Sequence, residues 1–144
     1  MSDGAISGQV IHATTVACLG QGVIILGPSG SGKSGLALGL MAYGATLVAD
    51  DQTEIQQRDG RLWATAPAPL RGMIEARGIG ILSAEPAAGV TLSLAIDLGR
   101  AETERLPPLR NITLFDHPLP CLYKVTAPHF SAMILQYLKA GRFS

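Results

Sequence analysis

One glycine-rich segment of eight residues carries the strongest chemistry in the chain. It follows the apolar run 23–26 and precedes a stretch with helical spacing. In such a loop, glycines let backbone N–H groups turn around phosphate oxygens, the lysine reaches the β- and γ-phosphates, and the final serine ligates Mg²⁺. The residues concerned are Gly27, Pro28, Ser29, Gly30, Ser31, Gly32, Lys33 and Ser34. This segment, called the phosphate loop below, predicts a nucleotide phosphate site with Mg²⁺.

Two adjacent acids, Asp50 and Asp51, end the apolar run 46–49 and form the second chemical pattern. An acid at the end of a buried strand can hold Mg²⁺, and a second acid at the same bend can accept a proton from a hydroxyl nucleophile. The alternative for either acid alone is a turn residue or a helix cap. For the pair, the sequence favours a metal or base role.

Elements around the loop are predicted to form a strand, loop, helix and strand unit. A strand over 9–18 and the run 23–26 form a hairpin through a turn at 20–22. Apolar residues at helical spacing follow the loop, and Gly44 occupies a C-capping position. The nucleotide is expected where this helix begins, because its positive dipole end attracts anions.

The remainder of the chain is predicted to be rich in strands. The predicted elements are a peripheral hairpin (53–57 and 61–66), a loop (67–72), strands at 79–82, 90–98, 111–115 and 121–125, and a helix over 129–139 ended by Gly141. We expect the whole of 1–144 to form one domain.

Composition excludes several classes of partner. Lys and Arg number 11, as do Asp and Glu, so no basic excess favours nucleic acid, and no basic amphipathic segment favours a membrane. Residues 1–5 lack a secretion signal, and we expect a cytoplasmic protein. Cys18 and Cys121 are expected to be buried, reduced thiols. The low charged fraction of 15% and the positive mean hydropathy indicate apolar surface, which self-association would cover.

The order of these motifs resembles the catalytic domain of bacterial HPr kinase/phosphorylase. The resemblance rests on the phosphate loop, the short helix, 47–51 and the Glu-x-Arg-Gly-x-Gly segment within 74–81, and extends from about His12 to about Pro128. It implies an α/β fold, the P-loop kinase domain of the phosphoenolpyruvate carboxykinase/HPr kinase type, β-rich with a P-loop helix and a C-terminal helix. It also implies ATP and Mg²⁺ as cofactors, an HPr-like phosphocarrier as substrate, and a hexamer.

The resemblance also implies roles for individual residues. Lys33 corresponds to the phosphate-binding lysine, Ser34 to a Mg²⁺ ligand, and Asp51, with Asp50 beside it, to the acid that accepts the seryl proton. Glu75 corresponds to a second metal-associated carboxylate, and His12 to an active-site histidine.

Each weaker assignment has a structural alternative. Glu75 can instead form a surface ion pair with Arg71 or Arg77, and His12 can be an ordinary strand histidine. Arg105 resembles a family arginine that neutralises charge on the transferred phosphoryl group, but it equally fits a solvated run of charges.

Departures from the family pattern narrow the expected activity. The chain begins about where the family's catalytic domain begins, so we expect no separate N-terminal domain. Residues 124–128 align with the segment that leads into the family's Val-Arg-Pro-Gly-Arg-Asn motif. In this chain the sequence His-Phe-Ser-Ala (129–132) follows instead, so both arginines of the motif are missing. Since that motif serves phosphoserine dephosphorylation, we expect weak or no phosphorylase activity. The helices that bind HPr are also curtailed, which leaves the protein substrate open.

Three functions are therefore considered. The first is an HPr-kinase-like serine kinase. The second is a small-molecule kinase with the same phosphate site, and the third is an ATP-sensing module without catalysis. The second acid of the Asp50-Asp51 pair argues against a pure binding module.

Overall fold

A computed structural model describes residues 8–144, and within them the chain forms eleven strands and two α-helices. The strands are β1 (Gln9–Ile11), β2 (Thr14–Cys18), β3 (Gln21–Leu26), β4 (Thr46–Ala49), β5 (Thr53–Arg58), β6 (Arg61–Thr65), β7 (Met73–Ala76), β8 (Gly80–Ser83), β9 (Val90–Ala101), β10 (Asn111–Leu114) and β11 (His117–Lys124). The helices are α1 (Lys33–Ala42) and α2 (Phe130–Ala140), with a short 3-10 helix at Ala68–Leu70.

Nine strands form one sheet, and β7 and β8 form a separate two-stranded ribbon. The main order is β1-β5-β6-β9-β3-β2-β4, with β11 also paired to β9 and β10 to β11. The strand order branches at β9, which is long enough to pair with both β6 and β11 along different parts of its length. Its first residues, Val90 and Thr91, pair with β6, whereas its later residues from Ala95 onward pair with β11.

The directions of the strands bring the candidate site to one edge of the sheet. Both β3 and β4 run antiparallel to β2, so their carboxyl ends meet the start of β2. The strands β9 and β11 run parallel to β3 and end at the same edge. The phosphate loop, the two acids and the first residue of β2 therefore lie close together.

Each face of the sheet is covered by its own hydrophobic core. On one face, Ala37 and Leu40 of α1 and Phe130 and Ile134 of α2 pack against buried side chains of β2, β3, β4 and β9. On the other, buried residues of β5 and β6 pack against Ile24, Val48 and Ala95. Both helices thus lie on the same face, and α1 starts directly at the phosphate loop.

Most predicted elements near the loop are confirmed. Helix α1, β4, β9, α2 and the turn between β5 and β6 form where expected, and β2 and β3 form the expected hairpin with different bounds. Each of the two-residue turns Leu19-Gly20, Asp59-Gly60 and Phe115-Asp116 has positive φ at both positions, which suits tight hairpins. Tyr43 and Gly44 close α1 through backbone N–H bonds to Leu40 and Met41.

Other predictions were wrong in position or extent. The strand expected over 9–18 is broken after Ile11, and β1 pairs with β5 instead of continuing into β2. The turn expected at 20–22 lies at Leu19-Gly20, because Gln21 already pairs with Cys18.

The 53–65 hairpin is not peripheral, since Trp63 and Ala64 pair with β9 and Ile55 is buried in the core.

Two connecting regions also contain more structure than expected. The loop at 67–72 includes the 3-10 helix, and the single strand expected at 79–82 is one half of the β7–β8 ribbon. The strand expected from 121 begins at His117, because pairing with β10 continues to the turn.

In the part of the chain that is described, neither helix has the length and hydropathy needed to span a membrane. The prediction that residues 1–5 carry no leader falls outside the described range.

Candidate active site

The phosphate loop has the backbone geometry of an anion cradle. Gly30 and Gly32 have φ values of 82° and 100°, a region that favours glycine. Lys33 begins α1 and is only 6% exposed. Its Nζ donates to the carbonyl oxygens of Gly27 at 2.9 Å and Pro28 at 3.1 Å. The ammonium is therefore folded over the loop, where phosphate oxygens can replace these carbonyls as its partners.

Asp50 is the most highly connected side chain of the site. It is 9% exposed, and Ser34 Oγ donates to its Oδ1 at 2.6 Å. Thr14 Oγ1 donates to the same oxygen at 3.1 Å, and the backbone N–H of Glu75 donates to Oδ2 at 3.0 Å. Four segments of the chain thus meet at one carboxylate, which fixes its orientation next to the phosphate loop.

The contact between Asp50 and Ser34 provides a donor set that suits Mg²⁺. A carboxylate and a hydroxyl are hard oxygen ligands, and Mg²⁺ usually takes one or two such protein ligands and fills the rest of its octahedron with water and substrate phosphates. No group of three or more His, Cys, Asp or Glu side chains within 8–144 is arranged to hold a metal. These residues therefore fit a Mg²⁺ site that is completed by a nucleotide better than an all-protein cage.

Asp51 has surroundings that differ sharply from those of its neighbour. Its φ is +69°, an uncommon conformation for a residue other than glycine, and its side chain is 62% exposed. His12 Nε2 lies 2.7 Å from Asp51 Oδ1. The carbonyl of Asp51 accepts the N–H of Ala13 at 3.1 Å. The left-handed bend turns this carboxylate towards open space while Asp50 remains buried.

Thr14 connects the two acids, and sequence reasoning missed it. Its buried hydroxyl donates to Asp50 Oδ1 and accepts the backbone N–H of Asp51 at 3.1 Å. A bulge between β2 and β4 pairs Thr15 with Ala49, which leaves Thr14 opposite Asp50. Only the strand register reveals this contact, because Thr14 is one of several threonines in an ordinary strand sequence.

The β7–β8 ribbon forms one wall of the site. The side chain of Glu75 is exposed and lines the same cavity as Lys33, while its backbone binds Asp50. Within residues 8–144, neither Arg71 nor Arg77 forms an ion pair with Glu75. The surface ion pair considered as an alternative is therefore absent from this part of the chain.

The cavity between the phosphate loop and the ribbon has a volume of about 430 Å³. That volume falls in the range of small-molecule sites. Its walls are formed by Ser29, Gly30, Gly32, Lys33, Ser34, Gly35, Leu38, Asp51, Glu75, Ala76 and Arg77. Because a lysine, an arginine, two serines and two carboxylates converge there, it is called the phosphoryl cavity below.

The structure brings most, but not all, of the predicted residues together. His12 reaches the site through Asp51, at the break between β1 and β2. Arg105 does not line the phosphoryl cavity. It is exposed and lines a separate groove beside α2, together with Glu104 and Leu106. These exposed surroundings of Arg105 match the alternative given above, a run of solvated charges.

Comparison with known proteins gives a consistent picture. The family model described as HPr Serine kinase C-terminal domain matches residues 5–98. The HPr kinase/phosphorylase of Caldanaerobacter subterraneus subsp. tengcongensis is 46% identical over 92 residues, or 61% of this chain and 30% of that protein. The enzyme of the same name from Clostridium tetani is 40% identical over 86 residues, or 60% of this chain and 28% of that protein. The chain thus matches less than a third of the length of these relatives.

A solved structure shares the fold. The Hpr(Ser) kinase/phosphatase from Coxiella burnetii superposes with a TM-score of 0.75 at 22% identity, covering 91% of this chain and 88% of that one. The predicted strand-rich α/β fold with a C-terminal helix is therefore confirmed.

The family match includes the phosphate loop, His12, both acids and Glu75, but it ends at Leu98. Arg105 and the segment 124–128, which the sequence resemblance had included, lie beyond it. The match covers well over half of the chain, and the chain therefore belongs to the family of the HPr serine kinase C-terminal domain.

Proposed function

We propose that the protein is a serine kinase that transfers the γ-phosphoryl group of Mg·ATP to a seryl hydroxyl of an HPr-type phosphocarrier or another protein. The observation that carries the proposal is the division of roles between the two adjacent acids. Asp50 is buried and bonded to Ser34, whereas Asp51 is exposed at the wall of the phosphoryl cavity. This difference supports a metal role for Asp50 and a proton-accepting role for Asp51.

The phosphate loop binds the donor in this mechanism. Its backbone N–H groups and the start of α1 hold the phosphates, and Lys33 exchanges its carbonyl partners for phosphate oxygens. Ser34 and Asp50 would hold Mg²⁺, which supplies charge neutralisation on the β- and γ-phosphates when bound. Glu75 lies on the same cavity wall and would be a second carboxylate near that metal.

Asp51 handles the proton of the acceptor. The seryl oxygen forms a bond to the γ-phosphorus while the bond between that phosphorus and the bridging oxygen of ADP breaks. The hydroxyl proton passes to the Asp51 carboxylate, and the electron pair of the broken bond remains on ADP. A positioned general base of this kind contributes roughly 10²- to 10⁴-fold to the rate.

His12 positions that base. With a proton on Nε2, the imidazole donates to Asp51 Oδ1 and leaves Oδ2 free to accept the seryl proton. The exposed ring and carboxylate face solvent, which leaves room for a protein acceptor to approach.

The acceptor is tested with labelled ATP and a panel of candidates. We expect label on a phosphocarrier of the HPr type, and no label on the same carrier with its acceptor serine changed to alanine. Transfer to a metabolite alone would replace this proposal with a small-molecule kinase. Tight ATP binding without transfer to any candidate would favour a nucleotide-sensing module.

We further propose that the reverse, phosphate-dependent reaction is weak. The segment 124–132 lacks both arginines of the family motif that serves it. Incubation of phosphoserine-HPr with excess inorganic phosphate should therefore release little pyrophosphate. Release at a rate comparable to the forward reaction would show that other residues replace the arginines.

A further inference from the structure

A second cavity lies on the other side of the phosphate loop from the acids. It has a volume of about 380 Å³, and Gly32 lines both it and the phosphoryl cavity. Its walls come from Ser31 of the phosphate loop, Leu36 of α1, Leu98 of β9, and the segment 124–131, which runs from the last residue of β11 into the first turn of α2. The two cavities therefore adjoin at a single glycine of the loop.

The sheet topology gives the two cavities opposite positions. The acids follow β4, which lies on the β2 side of β3. The walls of the second cavity include Leu98 in the second half of β9 and the chain from the end of β11 onward. Both strands lie on the other side of β3 and run in the same direction as β3. A nucleotide whose γ-phosphate meets Asp51 must extend away from the acids, and the second cavity lies in that direction.

The chemistry of the two cavities also differs. Charged and hydroxyl groups converge in the phosphoryl cavity, whereas Leu36, Leu98, Val125 and Pro128 give the second cavity an apolar lining. The polar groups there include Lys124 and the exposed Thr126. Ligand sites of this kind combine apolar contact area with a few polar groups that fix orientation. A planar purine with polar edges matches that lining.

We propose that the second cavity binds the purine base of the nucleotide whose phosphates the loop holds. The inference rests on the proposed function, because it assumes that ATP is the donor. The base packs on the apolar side chains, and the irregular backbone after β11 offers donors and acceptors to its edge. The segment 124–131 thereby contributes to donor binding, although it lies beyond the part of the chain that the family model matches.

The test compares ATP with inorganic tripolyphosphate, which has the phosphates but no base. Both are titrated in the presence of Mg²⁺ by calorimetry against the wild type, Ala127→Phe and Ala140→Phe. Ala127 lines the second cavity, whereas Ala140 is exposed at the end of α2 and serves as the matched control. We expect Ala127→Phe to weaken ATP binding by about tenfold or more and to leave tripolyphosphate within about twofold of wild type.

The outcomes separate the two proposals. Unchanged ATP affinity in Ala127→Phe, or an equal loss for both ligands, would overturn the base site. Failure of the wild type to bind either ligand would overturn the nucleotide function itself, and the base site with it.

Photolabelling of the unaltered protein provides a second measurement that does not depend on a variant. With 8-azido-ATP, the label should appear on the tryptic peptide 125–139, which contains most of the segment. Label elsewhere, with none on that peptide, would contradict the proposal.

Discussion

At the scale of single residues, the site depends on the different surroundings of two neighbouring carboxylates, Asp50 and Asp51. Asp50 receives three hydrogen bonds and is buried, while Asp51 adopts a left-handed conformation and receives one bond from His12. Holding a residue other than glycine at positive φ costs roughly 1–3 kcal/mol. Two hydrogen bonds of the Asp51 backbone offset that strain: its N–H donates to Thr14 Oγ1, and its carbonyl accepts the N–H of Ala13.

The different surroundings of Asp50 and Asp51 should depend most directly on Thr14, which contacts both residues. Thr14→Val keeps the shape but removes the hydroxyl that binds both acids. We expect a loss of stability of about 1–3 kcal/mol, since the N–H of Asp51 loses its partner, and about a tenfold fall in kcat with little change in the KM for ATP. Urea unfolding and steady-state kinetics measure the two effects.

The neighbouring Thr15→Val variant is the control for that experiment. Thr15 is equally buried and hydrogen-bonded, but its partner is Thr53 rather than an acid. We expect Thr15→Val to lower the free energy of unfolding and to leave kcat unchanged. Equal effects of both variants on kcat would show that Thr14 acts only through the stability of the sheet.

The sequence allowed some of these residues to be predicted and not others. The loop, Asp50 and Asp51 form continuous motifs, so spacing alone identifies them. Thr14 and the break at His12 depend on pairing between distant strands, which no local pattern contains. Arg105 was assigned by resemblance in a region beyond the matched family domain, and it lies away from the phosphoryl cavity.

At the scale of elements, the phosphate loop and α1 act as one unit. Local rules predicted both, because glycine positions and helical spacing are short-range features. The place of the β5–β6 hairpin was predicted wrongly, since pairing of its β6 strand with β9 is a long-range contact. Its apolar residues alternate as in any half-buried hairpin, so the sequence could not show that a third strand adds to its edge.

Replacement by alanine should change the stability of the fold in opposite directions at two glycines of this unit, Gly32 and Gly35. Neither position would bring a new Cβ within 4 Å of another atom, so backbone conformation alone decides the outcome. Gly32→Ala, at φ +100°, should destabilise the fold by about 1–2 kcal/mol. Gly35→Ala lies within α1 and should stabilise it by up to about 1 kcal/mol. Urea unfolding measures both, and a stable Gly32→Ala variant would argue against the described loop conformation.

At the scale of the whole molecule, a nine-stranded sheet with a hydrophobic core on each face supports the site. The site lies at the carboxyl ends of β3 and β4. Cys18 and Cys121 contribute to opposite cores, and burial raises the pKa of both thiols, that of Cys18 to about 11. Their burial and reduced state were predicted from the lack of any metal or disulfide spacing, and the structure finds both free and buried.

Thiol reactivity should therefore report on the intact fold. At pH 8, only about one Cys18 side chain in a thousand is ionised when its pKa is near 11, so the native protein should react slowly with a disulfide reagent. Urea-unfolded protein, with thiols at their ordinary pKa of 9.0, should react rapidly. Rapid labelling of the native protein would contradict the packing of these cores.

The sign of the pH effect on stability follows from the same shift. The unfolded thiol releases its proton at a lower pH than the folded one, so ionisation favours unfolding. The contribution of Cys18 is fully present below about pH 9 and is lost as the pH rises towards about 11.

The central claim is that Asp51 accepts the proton of the acceptor while the rest of the site binds the donor. Its most direct test is Asp51→Asn, assayed for phosphoryl transfer to an HPr-type phosphocarrier and for Mg·ATP affinity. Asp59→Asn is the matched control, because Asp59 also has positive φ but lies in the β5–β6 turn. We predict a fall of roughly 10²- to 10⁴-fold in transfer, with ATP affinity within about twofold and the control unchanged. Undiminished transfer by Asp51→Asn would contradict the account.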